Sequence, residues 1–196
     1  MTELAPDDGR TRCGWAQPVS GAHPLLYRDY HDDEWGRVLR GQVPLFERMS
    51  LEAFQSGLSW LIILRKRDNF RKAFKGFDIE KVARFTERDI ARLMADEGIV
   101  RNRAKIAATI ANARAVADLD VDLSDLLWSY APPPRPRPKS LADVPAITPE
   151  SQAMAKDLKK RGFRFVGPTT AYALMQATGM VDDHLASCWV PRATAA

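Results

Sequence analysis

Gly162-Phe163-Arg164-Phe165-Val166-Gly167-Pro168-Thr169-Thr170-Ala171 is the stretch on which the reading of the fold turns. Strong helical punctuation flanks it. Upstream, Thr148-Pro149-Glu150 supplies a cap, an N1 proline and an acidic first turn, so a helix is expected to run to about Arg161 and stop at Gly162. Downstream, Pro168 opens another helix, expected to end near Gly179. A glycine in the turn lets a partner approach the backbone closely. The start of the second helix exposes free amide donors at its positive end. Together these make a phosphate clamp, with Val166, Gly167, Thr169 and Thr170 as candidate contacts. Lys156, Lys159, Lys160 and Arg161 on the preceding helix would reinforce an anionic partner. The corner reads as a helix-hairpin-helix element that binds DNA. The plainer alternative is an ordinary helical corner with a solvated lysine face.

Working outward, helix signals continue along the chain. Pro44 opens a segment with Leu45, Phe46, Met49 and Phe54 at helical spacing, and a second segment runs from about Ser59 to Phe74. Asp78 can cap a short helix holding Val82 and Phe85. Thr86-Glu87-Arg88-Asp89 resembles a capping box ahead of Ile90, Leu93 and Met94, with Gly98 placed to end that helix. Asn102 to Ala117 reads as a strong helix. Residues 131–138, Ala-Pro-Pro-Pro-Arg-Pro-Arg-Pro, lack too many amide donors to be helical and are expected to form an extended surface connection. No stretch alternates as a strand does, and no internal repeat is present. The expected class is all-α.

The 196 residues, 45% hydrophobic and 28% charged, suit one globular domain with a substantial core. A net charge of +4 is compatible with nucleic acid without establishing it. The polar, acidic N-terminus has no apolar signal region, and the run Leu58–Leu64 is too short to span a bilayer. The expected compartment is therefore the cytoplasm, with no membrane partner. Nothing in the sequence demands more than a monomer.

Cys13 and Cys188 are the two cysteines, near opposite ends. They would pair as a disulfide in a secreted protein; in a reducing compartment a metal site or plain thiols fit better. With His31 and His184 they make a possible Cys₂His₂ set. His184 and Cys188 are spaced by one helical turn, so both can face one point. Four such ligands close a tetrahedral zinc shell and leave no open position, which argues for a structural ion. Two buried thiols and two unrelated histidines remain the alternative. The H-x-E and P-C-x-x-C motifs of a zinc deaminase are absent.

Two segments interleave aromatics with carboxylates: Tyr27-Arg28-Asp29-Tyr30-His31-Asp32-Asp33-Glu34-Trp35-Gly36, and Leu51-Glu52-Ala53-Phe54-Gln55-Ser56-Gly57-Leu58-Ser59-Trp60. Flat aromatics can sandwich an extruded base, and a carboxylate can accept hydrogen bonds from its amine. Taken singly, each aromatic is more often core and each carboxylate more often solvated surface.

Five motifs, R-C-G-W at Arg12–Trp15, Y-H-D-x-E-W-G at Tyr30–Gly36, L-E-x-x-Q-x-G-L-S-W at Leu51–Trp60, K-K-R-G-F-x-F-V-G at Lys159–Gly167 and D-H-x-x-x-C at Asp183–Cys188, together resemble the 3-methyladenine DNA glycosylase I family. The match is collinear over about residues 12–188. The resemblance implies a helix-hairpin-helix glycosylase fold, a single catalytic domain over 1–196, a structural zinc on Cys13, His31, His184 and Cys188 joining regions 12–37 and 180–190, and a helical core over 38–179. It implies a pocket in which Glu52 hydrogen-bonds the adenine edge, Tyr30 and Trp60 stack on or flank the base, and Trp35 and Tyr27 shape the wall. Gly57 and Leu58 would enter the DNA stack, with Leu58 as an apolar wedge. The implied activity is hydrolytic release of free 3-methyladenine from alkylated double-stranded DNA.

One departure and one absence bear on the chemistry. Glycosylases of the wider superfamily place a catalytic Asp in a V-D-x-H context, where this family typically has Asn; here Val181-Asp182-Asp183-His184 puts Asp182 there. Drift at a site beside metal ligands is the favoured reading of Asp182. No lysine follows the hairpin, so no lyase activity is expected.

Overall fold

The computed structural model describes residues 8–20 and 22–192, and among them all regular secondary structure is helical. The α-helices are α1 (Leu26–Asp33), α2 (Gln42–Gln55), α3 (Trp60–Ala73), α4 (Ile79–Ala83), α5 (Glu87–Ala95), α6 (Arg103–Ala117), α7 (Leu123–Trp128), α8 (Pro149–Lys160) and α9 (Pro168–Ala177), with 3₁₀ turns at Lys75–Phe77 and Leu141–Asp143. Local chemistry sets many of the starts. Asp78 accepts from the Lys81 amide, Asn102 from Lys105, Asp122 from Ser124 and Thr148 from Ser151. Asp89 accepts from both the amide and the hydroxyl of Thr86, as the capping-box reading requires.

Four local expectations are corrected. α2 begins at Gln42, two residues before Pro44, because a proline in the first turn removes an amide that has no helical partner anyway. α4 ends at Ala83, and Phe85 is buried in the following turn. Gly98 does not end α5: the chain turns extended at Asp96, whose carboxylate accepts from the Gly98 amide. His184 and Cys188 lie on no helix; residues 181–190 are irregular. α1 and α7 were not anticipated, since both are short.

α2 is the centre of the molecule. It contacts α3, α6, α7 and α9, and Leu45, Phe46, Met49, Leu51, Ala53 and Phe54 are all buried on it. A phenylalanine cluster joins it to the next helix: Phe54 and Phe70 lie 4.6 Å apart between ring centres, and Phe74 and Phe77 5.4 Å. Beyond its exposed first turn, α2 has little solvent face, and its polar residues Arg48, Ser50 and Glu52 are buried too.

Residues 131–138 are extended, as expected. Their arginines grip the C-terminal segment. Arg137 Nε donates to Asp182 at 2.8 Å and its terminal nitrogen to the Val190 carbonyl at 2.8 Å, while Arg135 donates to buried Asp183 at 2.7 Å. The helices α8 and α9 pack together across the corner, where Gly162 takes φ +90° and the Asn112 side chain brackets the Arg164 backbone at 3.0 and 2.7 Å.

Gly179 fixes the end of α9 against the N-terminal region. Its φ is +74°, and a Cβ there would meet the Arg37 carbonyl carbon at 2.7 Å. Both the backbone conformation and the contact exclude a side chain, so Gly179→Ala should lower unfolding stability by at least about 2 kcal/mol. Denaturant titration of the two proteins measures this.

Candidate active site and metal centre

Cys13, His31, His184 and Cys188 converge at one buried point, their ligand atoms all within 4.8 Å of one another. His184 Nδ1 lies 3.8 Å from Cys13 Sγ, 3.6 Å from Cys188 Sγ and 3.2 Å from His31 Nε2. Bonds of about 2.0–2.3 Å in a tetrahedral centre separate ligands by roughly 3.3–3.8 Å, so the set fits a four-coordinate metal. The outward nitrogens are also held. His31 Nδ1 is 2.7 Å from Asp32, which Arg12 pairs at 2.7 Å, and His184 Nε2 is 3.0 Å from the Trp35 carbonyl. Such partners fix ring orientation and tautomer around a metal.

The aromatic pocket begins where the ligands end. Tyr30 precedes His31, Trp15 stands two residues past Cys13, and Trp35 packs on both histidine rings. These walls, with Tyr27, Trp60, Glu52, Gln55 and Gln176, enclose about 150 Å³. Tyr30 and Trp60 approach to 5.4 Å between ring centres. The Trp60 indole Nε1 is buried with no hydrogen-bond partner, so a ligand acceptor could satisfy it. A larger, shallow groove of about 710 Å³ elsewhere has no aromatic lining and carries Asp78, Glu80, Asp120 and Asp122. The smaller pocket is thus the better candidate for binding a flat, electron-poor ring.

Glu52 is the pocket's single carboxylate. Burial disfavours its charged form and pushes its pKa up to about 7, against the opposing pull of Arg48 one turn away. Arg48 donates to the Tyr30 hydroxyl at 2.8 Å and lies over the faces of Tyr30 and Trp60. Glu34 faces Arg48 and is bound by two nitrogens of Arg67, at 2.5 and 2.8 Å. Glu34 is thus shared by two arginines beneath the pocket, one positive charge remains over, and among the described residues Glu52 lines the pocket without an ion-pair partner of its own.

All five sequence-derived pocket residues, Tyr27, Tyr30, Trp35, Glu52 and Trp60, line this cavity. Gly57, at φ +81°, and Leu58, 37% exposed, stand on the α2–α3 corner beside it. At the α8–α9 corner Gly167 and Thr169 are exposed, Thr170 is half-buried and Val166 is buried. Lys156 and Lys159 flank a groove there with Phe163 and Phe165, but Arg161 is engaged by Asp157 and Asp120. Asp182 is outside the pocket lining; its carboxylate takes Arg137 and, at 3.3 Å, the His184 amide. The sequence reading missed Trp15, Gln55 and Gln176. Trp15 and Gln55 sit inside motifs already noted, Gln55 one turn after Glu52. Gln176 carries no local signal and arrives through the packing of α9 on α2.

An aromatic pocket with one carboxylate, beside a Cys₂His₂ cluster that could hold a metal, defines the site of a small all-helical protein. Residues 20–191 match the methyladenine glycosylase family, and the chain belongs to that family. DNA-3-methyladenine glycosylase 1 of Escherichia coli (strain K12) is 43% identical over 182 residues, covering 90% of this chain and 95% of the relative. A crystal structure of 3-methyladenine DNA glycosylase I is similar with a TM-score of 0.86 and 42% identity, covering 91% of this chain and 98% of that one. A single-residue variant of 3-methyladenine DNA glycosylase I, solved in complex with 3-methyladenine, is similar with a TM-score of 0.82 and 35% identity, covering 86% and 94%.

Two outcomes follow from this geometry. Cys13→Ser should lower the bound metal content and reduce the thermal midpoint by about 5–10 °C, read by metal analysis and calorimetry. Glu52 supplies the second. Its folded pKa of about 7 lies above the ordinary 4.5. The folded protein therefore keeps a proton that the unfolded chain loses first, so stability falls as pH rises from 4.5 to 7. Glu52→Gln should match the parent near pH 4 and exceed its stability above pH 7 by about 1–3 kcal/mol. Denaturant unfolding at both pH values decides; equal midpoints at pH 8 would refute the burial penalty.

Proposed function

We propose that this chain excises 3-methyladenine from alkylated double-stranded DNA as a base-excision repair enzyme. The carrying observation is a buried carboxylate, Glu52, alone among aromatic rings in a pocket sized for one flat heterocycle. The relatives' names and the 3-methyladenine complex support the same substrate.

Methylation at N3 gives adenine a formal positive charge and weakens its bond to the sugar. When the N-glycosidic bond breaks, its electron pair stays with the base, which leaves neutral and needs little acid catalysis. Water bonds to the anomeric carbon and gives up a proton, so the reaction is a hydrolysis. The protein's task is selection. Ionised Glu52 attracts the cationic base and accepts from its exocyclic amine, and losing such a bond in a dry site discriminates strongly. Tyr30 and Trp60 stack on or flank the ring and add cation–π attraction of about 1–2 kcal/mol. Trp35 and Tyr27 bound the wall.

Access requires extrusion of the nucleotide from the duplex. Leu58, on the Gly57 corner, is the wedge that fills the vacated stack. The α8–α9 corner is the helix-hairpin-helix clamp, with the free first-turn amides of Thr169 and Thr170, together with Val166 and Gly167, on the phosphate backbone. The ion at the Cys₂His₂ set is zinc with a structural role: four protein ligands leave no position for substrate. The whole chain acts as one catalytic domain, monomeric and cytoplasmic. Asp182, engaged by Arg137, takes no part in the chemistry, and the absence of lysine after the corner leaves no Schiff-base nucleophile.

The test is chromatographic release of bases from methylated duplex DNA. Free 3-methyladenine should appear while 7-methylguanine stays in place. Glu52→Gln should cut the rate by about a hundredfold or more, Asp182→Asn should leave it unchanged, and borohydride should trap no covalent complex with DNA. No release by the folded, metal-replete protein would reject the activity.

A further inference from the structure

Lys105 is a lysine on the first turn of α6, 7% exposed, that the recognition of the base does not use. Its ammonium donates to the Phe54 carbonyl at 2.8 Å and to the Ser56 carbonyl at 2.5 Å. These are among the end carbonyls of α2, which no helical amide can reach. Two neighbours are met locally: the Ser56 hydroxyl donates to Ala53 at 3.0 Å and the Leu58 amide to Gln55 at 2.6 Å. The carbonyls of Ala53 to Ser56 are thus all engaged, and two of these four are engaged by one side chain from another element.

The corner that follows has little else to hold it. Residues 56–59 are exposed, and nothing lies within 4 Å of the position a Gly57 Cβ would take. Among the described residues, only Lys105 ties the end of α2 and this corner by hydrogen bonds to a helix other than α2 and α3, the two that the corner joins. The corner carries Leu58 at its tip, with Glu52 on the turn before it and Trp60 at the start of α3. Desolvating an ammonium is costly, and helix-end carbonyls at the negative end of α2 are the partners that offset this.

We propose that Lys105 is a positioning residue for base extrusion: it clamps the end of α2 so that Leu58 projects as a rigid wedge while the base pocket stands behind it. This rests on the reading of Leu58 as the wedge. A loose corner would let the side chain fold back, and insertion into the stack would then have to order it first. Tyr30 and Trp35 are held by the ligand cluster and Arg48, and Glu52 and Trp60 are buried on α2 and α3, so binding of a free base depends on the clamp far less than insertion of Leu58 does.

The experiment compares Lys105→Met and Leu58→Ala in the intact, metal-replete protein, with Lys105→Gln as a second variant if the methionine form does not fold. Three quantities are read: affinity for free 3-methyladenine by tryptophan fluorescence, single-turnover excision from a fully paired duplex, and excision of the same lesion from single-stranded DNA. For Lys105→Met, free-base affinity should stay within about twofold, duplex excision should fall about tenfold or more, and single-strand excision should fall by less than about threefold. A merely destabilising change would depress all three together. If Leu58→Ala shows the duplex-selective loss and the lysine variant does not, the clamp is refuted and the wedge stands. If Leu58→Ala is silent on the duplex, the wedge reading falls and the clamp falls with it. Equal losses on both DNA forms, or loss of free-base binding, also overturn the proposal.

Discussion

Four side chains from the two ends of the chain have to meet at one buried point, and the pocket inherits its walls from that meeting. Cys13, His31, His184 and Cys188 lie within 4.8 Å of one another. Trp15, Tyr30 and Trp35 are close neighbours of these ligands in sequence, so wherever the ligands go the aromatic walls follow. The extended segment 131–138 secures the C-terminal half of this arrangement through Arg135 and Arg137. A metal ion in such a set would reinforce the packing that already joins these segments, where Arg10 and Arg12 lie over Trp189, and its binding energy would be folding energy.

The opposite wall comes from the central helix, and there two requirements conflict. Most of α2 is packed between partners, which favours apolar residues. It nevertheless carries a carboxylate into the pocket lining. Glu52 is buried at the cost of ionisation, with its pKa raised to about 7. Arg48 moderates the cost, and is itself partly compensated by Glu34, which it shares with Arg67. The burial costs stability in the unliganded protein once the carboxylate ionises.

The same helix ends at the edge of the pocket, so its C-terminal carbonyls are also a functional matter. Hydrogen bonds from Lys105, the Ser56 hydroxyl and the Leu58 amide engage those of Ala53 to Ser56. The pocket, the exposed Leu58 and the core therefore share one rigid element. That is how a small protein keeps a corner defined although solvent surrounds it.

Much of this was legible in the sequence because its causes are local. Asp78, Thr86, Asn102 and Thr148 announce helix starts through hydrogen bonds within three residues, and the proline run announces an extended segment by its missing amides. The aromatic and carboxylate residues of the pocket were also visible, since they fall in two short segments. Other features depend on distant partners. His184 and Cys188 share a point without sharing a helix, because the arginines of residues 131–138 draw Asp182 and Asp183 into an irregular path. Gln176 reaches the pocket through α9 packing on α2 and left no trace in its own neighbourhood. Lys105 looked like one more helical lysine until Phe54 and Ser56, about fifty residues away in sequence, supplied its acceptors. By itself the sequence determined which helices form and which chemical groups the protein carries, because dihedral preferences and caps act over a few residues. Only the tertiary structure decided which of those groups are buried and whom they face, because desolvation and charge pairing depend on neighbours that packing brings from far along the chain.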